Sequence, residues 1–164
     1  MRRAIVIGCP GAGKSTFARA LRDRTKLPLH YLDLLWHRPD RTTVSRELFD
    51  ARLKEVLRQE SWIIDGNYLR TLKERLARCD TVFLLDYPLE VCLEGVMGRI
   101  GKKREDMPWV ETELDEEFRQ WILDFASDQR PQILSLLEAY WEERQVVVFH
   151  TREEAAAYLQ RLAD

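Results

Sequence analysis

The sequence predicts an α/β fold in three layers, a five-stranded parallel sheet with helices on both faces, formed by a single domain over residues 1–164. Two observations carry this. Short apolar runs alternate along the chain with longer stretches of helical periodicity, as happens when each strand is followed by a crossover helix. Four of the five candidate strands are also nearly continuous apolar runs, the pattern of strands buried on both faces.

The candidate strands are residues 4–7, 29–32, 62–64, 81–85 and 146–149. The helices show their faces by spacing. One starts near Lys14; one opens near Ser45 and carries Phe49, Leu53, Val56 and Leu57; a short one carries Leu69, Leu72 and Leu76. Pro88 suits a first helical turn, where its missing N–H costs nothing, and Leu89, Leu93, Val96 and Ile100 follow it. Asp86 reads as the cap of that helix. Thr112 stands three before Asp115 in a capping-box arrangement ahead of Leu114, Phe118, Trp121, Ile122 and Phe125. Pro131 opens a helix with Leu134, Leu137 and Trp141, and Thr151 with Glu154 boxes the last one, with Tyr158, Leu159 and Leu162. Nearly all of these stripes read as core.

Bulk properties narrow the function classes. A formal net charge of −2 gives no general pull toward nucleic acid, and no basic stripe appears, so no direct nucleic-acid partner is expected. No apolar run approaches the roughly 20 residues of a membrane helix. The strand pattern begins within three residues of Met1, which leaves no room for a signal peptide. Cys9, Cys79 and Cys92 lack metal spacing, and a reducing cytoplasmic setting is expected. Nothing calls for more than a monomer or weak dimer.

Directly after the first strand stands Gly8-Cys9-Pro10-Gly11-Ala12-Gly13-Lys14-Ser15-Thr16. This is the phosphate-loop pattern in its confirming context, strand before and helix after. Its glycines let the backbone wrap phosphate oxygens with successive N–H groups, and the helix start adds its positive dipole end. Lys14 is expected at the β- and γ-phosphates of ATP and the Ser15 hydroxyl at Mg²⁺. Cys9 reads as a tolerated small residue or a reactive thiol.

A phosphate loop needs a carboxylate for the metal, usually at the end of a neighbouring strand. Asp33, Asp65 and Asp86 all qualify by position; Asp65 is best placed, because Gly66 after it leaves space for ligand. Asp33 closes the second strand and suits a phosphoryl acceptor's hydroxyl, or else shapes a turn. Trp36 in the following loop either stacks on a base or sugar or packs down on the body. His30 and His37 show no ligand spacing. Residues 99–112 contain Arg99, Lys102, Lys103 and Arg104 between two amphipathic helices, with Gly101 and Pro108, which suits a mobile lid. No acidic partner for these cations is evident, so the lid is expected to stay open until ATP arrives. Arg130 can point to the same place.

These residues together resemble the adenylate-kinase-like P-loop kinases, and more closely the bacterial topology modulation proteins. The resemblance covers nearly the whole chain. It is carried by residues 8–16, Leu32-Asp33 with Trp36 and Pro39, Trp62-Ile63-Ile64-Asp65-Gly66-Asn67-Tyr68 with Arg70 and Leu72, Arg104 with Asp106 and Met107, Phe118 with Trp121, and Arg130-Pro131. It implies the P-loop kinase fold, with strand order 2-3-1-4-5, a short helical lid and an acceptor-side segment near residues 33–60. It implies ATP and Mg²⁺ as cofactors, with Asp65 at the metal's water shell, Arg99 and Arg104 as lid arginines, and Thr151 and Arg152 near the adenine. Asn67, Tyr68 and Arg70 depart from the Asp-Gly-Phe-Pro-Arg string of nucleoside monophosphate kinases; with Asp33 and Trp36 they become candidates for the acceptor pocket. The expected function is Mg²⁺-dependent phosphotransfer from ATP to a small acceptor: nucleotide, nucleoside or another hydroxyl compound. The alternative is a nucleotide-binding regulator linked to DNA topology with little or no transfer. Asp33 beside a closable arginine lid favours the kinase.

Overall fold

The centre of the sheet is β1 (Arg3–Gly8), whose residues Ala4 to Ile7 are wholly buried. The computed structural model describes residues 1–162. Around β1 the strands β2 (Leu29–Tyr31), β3 (Trp62–Asp65), β4 (Thr81–Leu85) and β5 (Gln145–Phe149) run parallel in the order β2-β3-β1-β4-β5, as the resemblance implied.

Right-handed crossovers then decide the layers. The step from β1 to β2 runs one way across the sheet, placing α1 (Lys14–Thr25) on one face. The later steps run the other way, placing α3 (Arg46–Leu57), α4 (Leu69–Arg78), α5 (Leu89–Arg99), α6 (Glu116–Asp124) and α7 (Gln129–Tyr140) on the opposite face. α8 (Arg152–Leu162) returns from β5 to pack on α1, and α4 packs on α7. Phe17 of α1 meets Phe83 and Phe149 at 5.1 and 5.4 Å between ring centroids, and Tyr158 of α8 closes the cluster 5.2 Å from Phe83. Among the described residues no helix is long and apolar enough to cross a membrane.

Several local expectations change. β2 stops at Tyr31, and a five-residue helix, α2 (Leu32–Trp36), follows at once, so Asp33 lies in a first helical turn and not at a strand end. α6 begins after Asp115, whose carboxylate accepts from the backbone N–H groups of Glu117 and Phe118; Thr112 lies outside the helix. An aspartate at the N-cap accepts these bonds directly, so the box starting at Thr112 has no donor left to satisfy. Pro88 is the N-cap of α5, and Asp86 is engaged elsewhere. Pro131 falls in the first turn of α7, while Trp141 beyond its end is half exposed and not core. The Thr151–Glu154 pair does cap α8: Glu154 N–H donates to Thr151 Oγ1 at 3.1 Å, and the Glu154 carboxylate accepts from His150 N–H at 2.7 Å. Residues 101–115 carry no helix, so the lid is an irregular loop and its helical parts are the flanks α5 and α6.

Candidate active site

The phosphate loop leaves the carboxyl end of β1, where ligands gather in an open parallel sheet. Lys14, the first residue of α1, donates from Nζ to the carbonyls of Gly8 at 3.1 Å and Cys9 at 3.4 Å, spanning the loop. A second clamp comes from β3's exit. Gly8 N–H donates to Asn67 Oδ1 at 3.0 Å, and Asn67 Nδ2 returns a bond to Gly8 O at 2.7 Å. Each end of this buried amide gives one bond to the loop's backbone, so Asn67 holds the phosphate loop while also lining the cleft.

The other side of the loop lies against α5 without a spacer. A Cβ built on Gly95 would stand 1.9 Å from Gly11 O, and one on Gly11 would stand 2.0 Å from Cys92 O. Gly95→Ala must push the helix off the loop, at a cost of about 1–3 kcal/mol. It should weaken ATP binding by roughly an order of magnitude; calorimetric titration giving the parent affinity would show that the seam does not shape the loop. Cys9 faces away from the cleft and is buried. A hydrogen bond with Cys92, followed by burial, pushes its thiol above the usual range, so it lacks the thiolate of a reactive cysteine.

Asp65 is brought in by register, since it sits beside Val6 of β1 and Tyr31 of β2. Ser15 Oγ donates to Asp65 Oδ2 at 2.5 Å, whereas Asp65 Oδ1 is buried with no hydrogen-bond partner. Burial pushes the carboxyl up to about 6, with the Lys14 charge and the Ser15 bond working against it. A hydroxyl beside a carboxylate with an orphaned oxygen is a hard donor set, and it fits Mg²⁺ or a water of its shell. Gly66 does not open room for ligand: the Leu32 side chain fills the space its Cβ would take, at 2.9 Å, and its φ of 141° serves the turn.

On the acceptor side, Tyr68 OH donates to Asp33 Oδ1 at 2.6 Å, and both residues line the cleft. The Tyr68 ring stacks on Phe49 with centroids 5.3 Å apart. Trp36 packs edge-on against the same Phe49, outside the cleft, so of its two readings the packing one holds. Arg70 makes a two-pronged pair with Asp50, at 2.7 and 3.1 Å, also outside. In this structure Arg70 is therefore engaged by Asp50 and does not line the cleft.

The lid lies down on the body. Glu105 accepts from Arg22 at 2.9 Å and from the Tyr31 hydroxyl. Buried Asp106 stands 3.6 Å from Arg19 and 3.5 Å from Arg104, and Glu111 is shared by Arg99 at 3.4 Å and Arg104 at 3.5 Å. The expectation that the lid's cations lack acidic partners is therefore wrong for Arg99 and Arg104, whose partners sit within the same segment and were hidden among its charges. Arg99 also stands over the Phe118 ring at 5.7 Å, and burial lowers its pKa. At the tip, Trp109 meets His37 edge-on at 5.1 Å, with the Arg41 guanidinium 5.8 Å from its ring centre.

One cleft of about 1040 Å³ joins these parts. It is lined by residues 10–16 of the loop, Asp33, Asp65, Asn67, Tyr68, Arg99, Arg104 and Arg152. Arg130 is not among its walls: its guanidinium grips Asp86 through Nε at 2.8 Å and Nη2 at 2.9 Å in a separate hollow shared with Cys9. Thr151 serves as the α8 cap. Sequence reasoning missed Arg19 and Asp106, which line the cleft, and Arg75, buried behind Asp65. Arg19 was legible as the residue one helical turn after Ser15; Arg75 was legible as a cation between Leu72 and Leu76 on an apolar face.

A glycine-rich phosphate loop, a strand-end aspartate on its serine and the arginines of the 99–112 loop line one cleft, the arrangement of a candidate phosphate site. Comparison with solved structures extends this to the fold as a whole. The chain superposes on a shikimate kinase from Acinetobacter baumannii in complex with shikimate at a TM-score of 0.65 and 17% identity, over 99% of this chain and 90% of that one. It superposes on a shikimate kinase from Bacteroides thetaiotaomicron at 0.62 and 21% identity, over 98% and 95%. No protein-family model and no curated protein matches the sequence. The fold is thus that of the P-loop kinases.

Proposed function

We propose that the chain is an ATP- and Mg²⁺-dependent phosphotransferase acting on a small hydroxyl acceptor. The observation that carries this is a second carboxylate, Asp33, which shares one cleft with Lys14, Ser15 and Asp65 and is held by Tyr68. A protein that only binds nucleotide has no use for an oriented acceptor-side carboxylate. In the reaction the acceptor oxygen bonds to the γ-phosphorus as the bond to the ADP oxygen breaks. The acceptor proton passes to Asp33, and Lys14, Arg99 and Arg104 face the charge on the transferring group. Ser15 and Asp65 would hold Mg²⁺, which would supply charge neutralisation during the transfer. Arg152, which lines the cleft, is the side chain proposed for the nucleoside end of ATP. The three cysteines are free and buried, which supports a cytoplasmic setting.

A second reading, a nucleotide-gated regulator akin to the topology modulation proteins that the motif residues resemble, is favoured by the lid's ion pairs to α1, a docked element that a ligand can shift. One assay separates the two. ADP release is measured with nucleosides, nucleoside monophosphates, sugars and shikimate as acceptors. At least one acceptor should raise ADP release well above hydrolysis, and Lys14→Ala should abolish both the release and ATP binding in calorimetry. ATP binding with no stimulated release across the panel would leave the regulator. Unchanged ATP affinity in folded Lys14→Ala would remove the nucleotide site itself.

A further inference from the structure

Arg75 is 0% exposed, a guanidinium wholly inside the protein. Its four hydrogen bonds all go to uncharged acceptors: Nε to Thr71 Oγ1 at 3.3 Å, Nη1 to Gly66 O at 2.9 Å, and Nη2 to Tyr68 O at 3.1 Å and to Asn67 O. Burying a charge without an ion partner opposes folding, and an apolar side chain on that face of α4 would fill the same space without that cost. What the guanidinium provides instead is geometry. Three successive carbonyls, of residues 66, 67 and 68, converge on one planar fork, a task for which five fixed donors suit and a single ammonium does not.

Those carbonyls belong to the turn between β3 and α4, and the turn is strained. Gly66 has φ 141° and Tyr68 has φ 37°, the latter in the left-handed region that a tyrosine rarely occupies. Such a turn persists where its surroundings over-determine it, and Arg75 is the group that does so from beneath. The turn carries Asp65 at its start and Tyr68 at its end. Asp65 accepts from Ser15 and Tyr68 donates to Asp33, so the metal side and the acceptor side of the cleft are indexed by one buried cation.

We propose that Arg75 is a positioning residue for phosphoryl transfer, setting the spacing between the Asp65 and Asp33 sides of the cleft by gathering the carbonyls of Gly66, Asn67 and Tyr68. The inference rests on the phosphotransferase reading, and it separates the residue's role from core filling. ATP itself is gripped by the loop and α1, which Arg75 reaches only indirectly, through Asn67, whose amide bonds Gly8; the transfer step needs both carboxylate sides in register. Loss of the fork should therefore act more on kcat than on KM.

The experiment compares the parent, Arg75→Met and Arg75→Lys, each corrected for its folded fraction by circular dichroism, with MgATP and either the best acceptor or water. Arg75→Met should lower kcat by about 10–100-fold, the usual effect of removing a group that orients site residues. KM for ATP should change by less than about threefold, as for an interaction made only in the transition state. Arg75→Lys keeps the charge and loses the fork, so it should fold more readily and still show most of the kcat loss. Should the methionine variant fail to fold, the lysine variant alone decides. A rate per folded molecule equal to the parent's in the variants that fold would make Arg75 a structural cation only and overturn the proposal, as would full recovery of kcat by lysine. A parent that neither transfers nor hydrolyses, while binding ATP normally, would instead sink the phosphotransferase reading, and this proposal with it.

Discussion

Asp33→Asn is expected to leave ATP affinity at the parent value and to cut acceptor-dependent turnover by about two decades or more, the range of a lost general base. The alternative role, shaping a turn, finds no support in the bonds the carboxylate makes. Its Oδ1 accepts from Tyr68, thirty-five positions along the chain, while α2 starts from Tyr31 without a side-chain cap. Asparagine keeps an oxygen for Tyr68 to donate to, so the fold and the nucleotide end of the cleft should be undisturbed. Tyr68→Phe provides the contrast. It frees Asp33 to rotate but keeps the base, so its loss of turnover should be several-fold smaller. Equal turnover of folded Asp33→Asn and parent on an identified acceptor would remove Asp33 from the chemistry.

Asp65→Asn should make the protein without nucleotide more stable and much less active. The carboxyl titrates at about 6 in the folded state, against an ordinary value of 3.8, chiefly because it is buried. Between these values the folded state holds more protons than the unfolded one, so this group's contribution to stability falls as pH rises. Above the folded value its buried charge costs the fold about 3 kcal/mol. The amide removes that cost and can still accept from Ser15. At pH 8 the mutant should therefore melt higher than the parent by several degrees, and the gap should close toward pH 4, where the parent's carboxyl is protonated. Mg²⁺-dependent turnover should meanwhile fall at least about tenfold. A mutant that melts lower at pH 8 would mean the charge is not a burden there, and equal turnover would move the metal role to another carboxylate.

The parts of the molecule that were legible in the sequence are those whose signal is local. Five strands and the phosphate loop announce themselves within a few residues each, because apolar runs, glycine spacing and the strand–loop–helix context are all contiguous. The misassigned residues share another property: their partner lies far along the chain. Arg70 reads as a substrate arginine until α3 brings Asp50 within 2.7 Å. Arg130 reads as a lid-side cation until Asp86 is folded onto it. For the lid the difficulty was reversed. Asp106 and Glu111 stand beside its cations in sequence, but in a run of mixed charge nothing indicates which pairs form and which face water.

The carboxylates that hold the lid's guanidinium groups give nucleotide entry the character of a counter-ion exchange. Arg99 and Arg104 share Glu111, and Arg104 and Arg19 share Asp106. On the phosphotransferase reading, an arriving phosphate wins these cations only by displacing an anion already seated. The number of ion pairs is then nearly conserved, and affinity follows the difference between two kinds of partner. At these guanidinium groups a lone orthophosphate trades one anion for another and gains little there. A triphosphate engages several guanidinium groups from one tethered body, so its second and third exchanges occur at high effective concentration. Discrimination between a full polyphosphate chain and its fragments is thus built into the resting charge balance of the lid, with no side chain dedicated to counting phosphates.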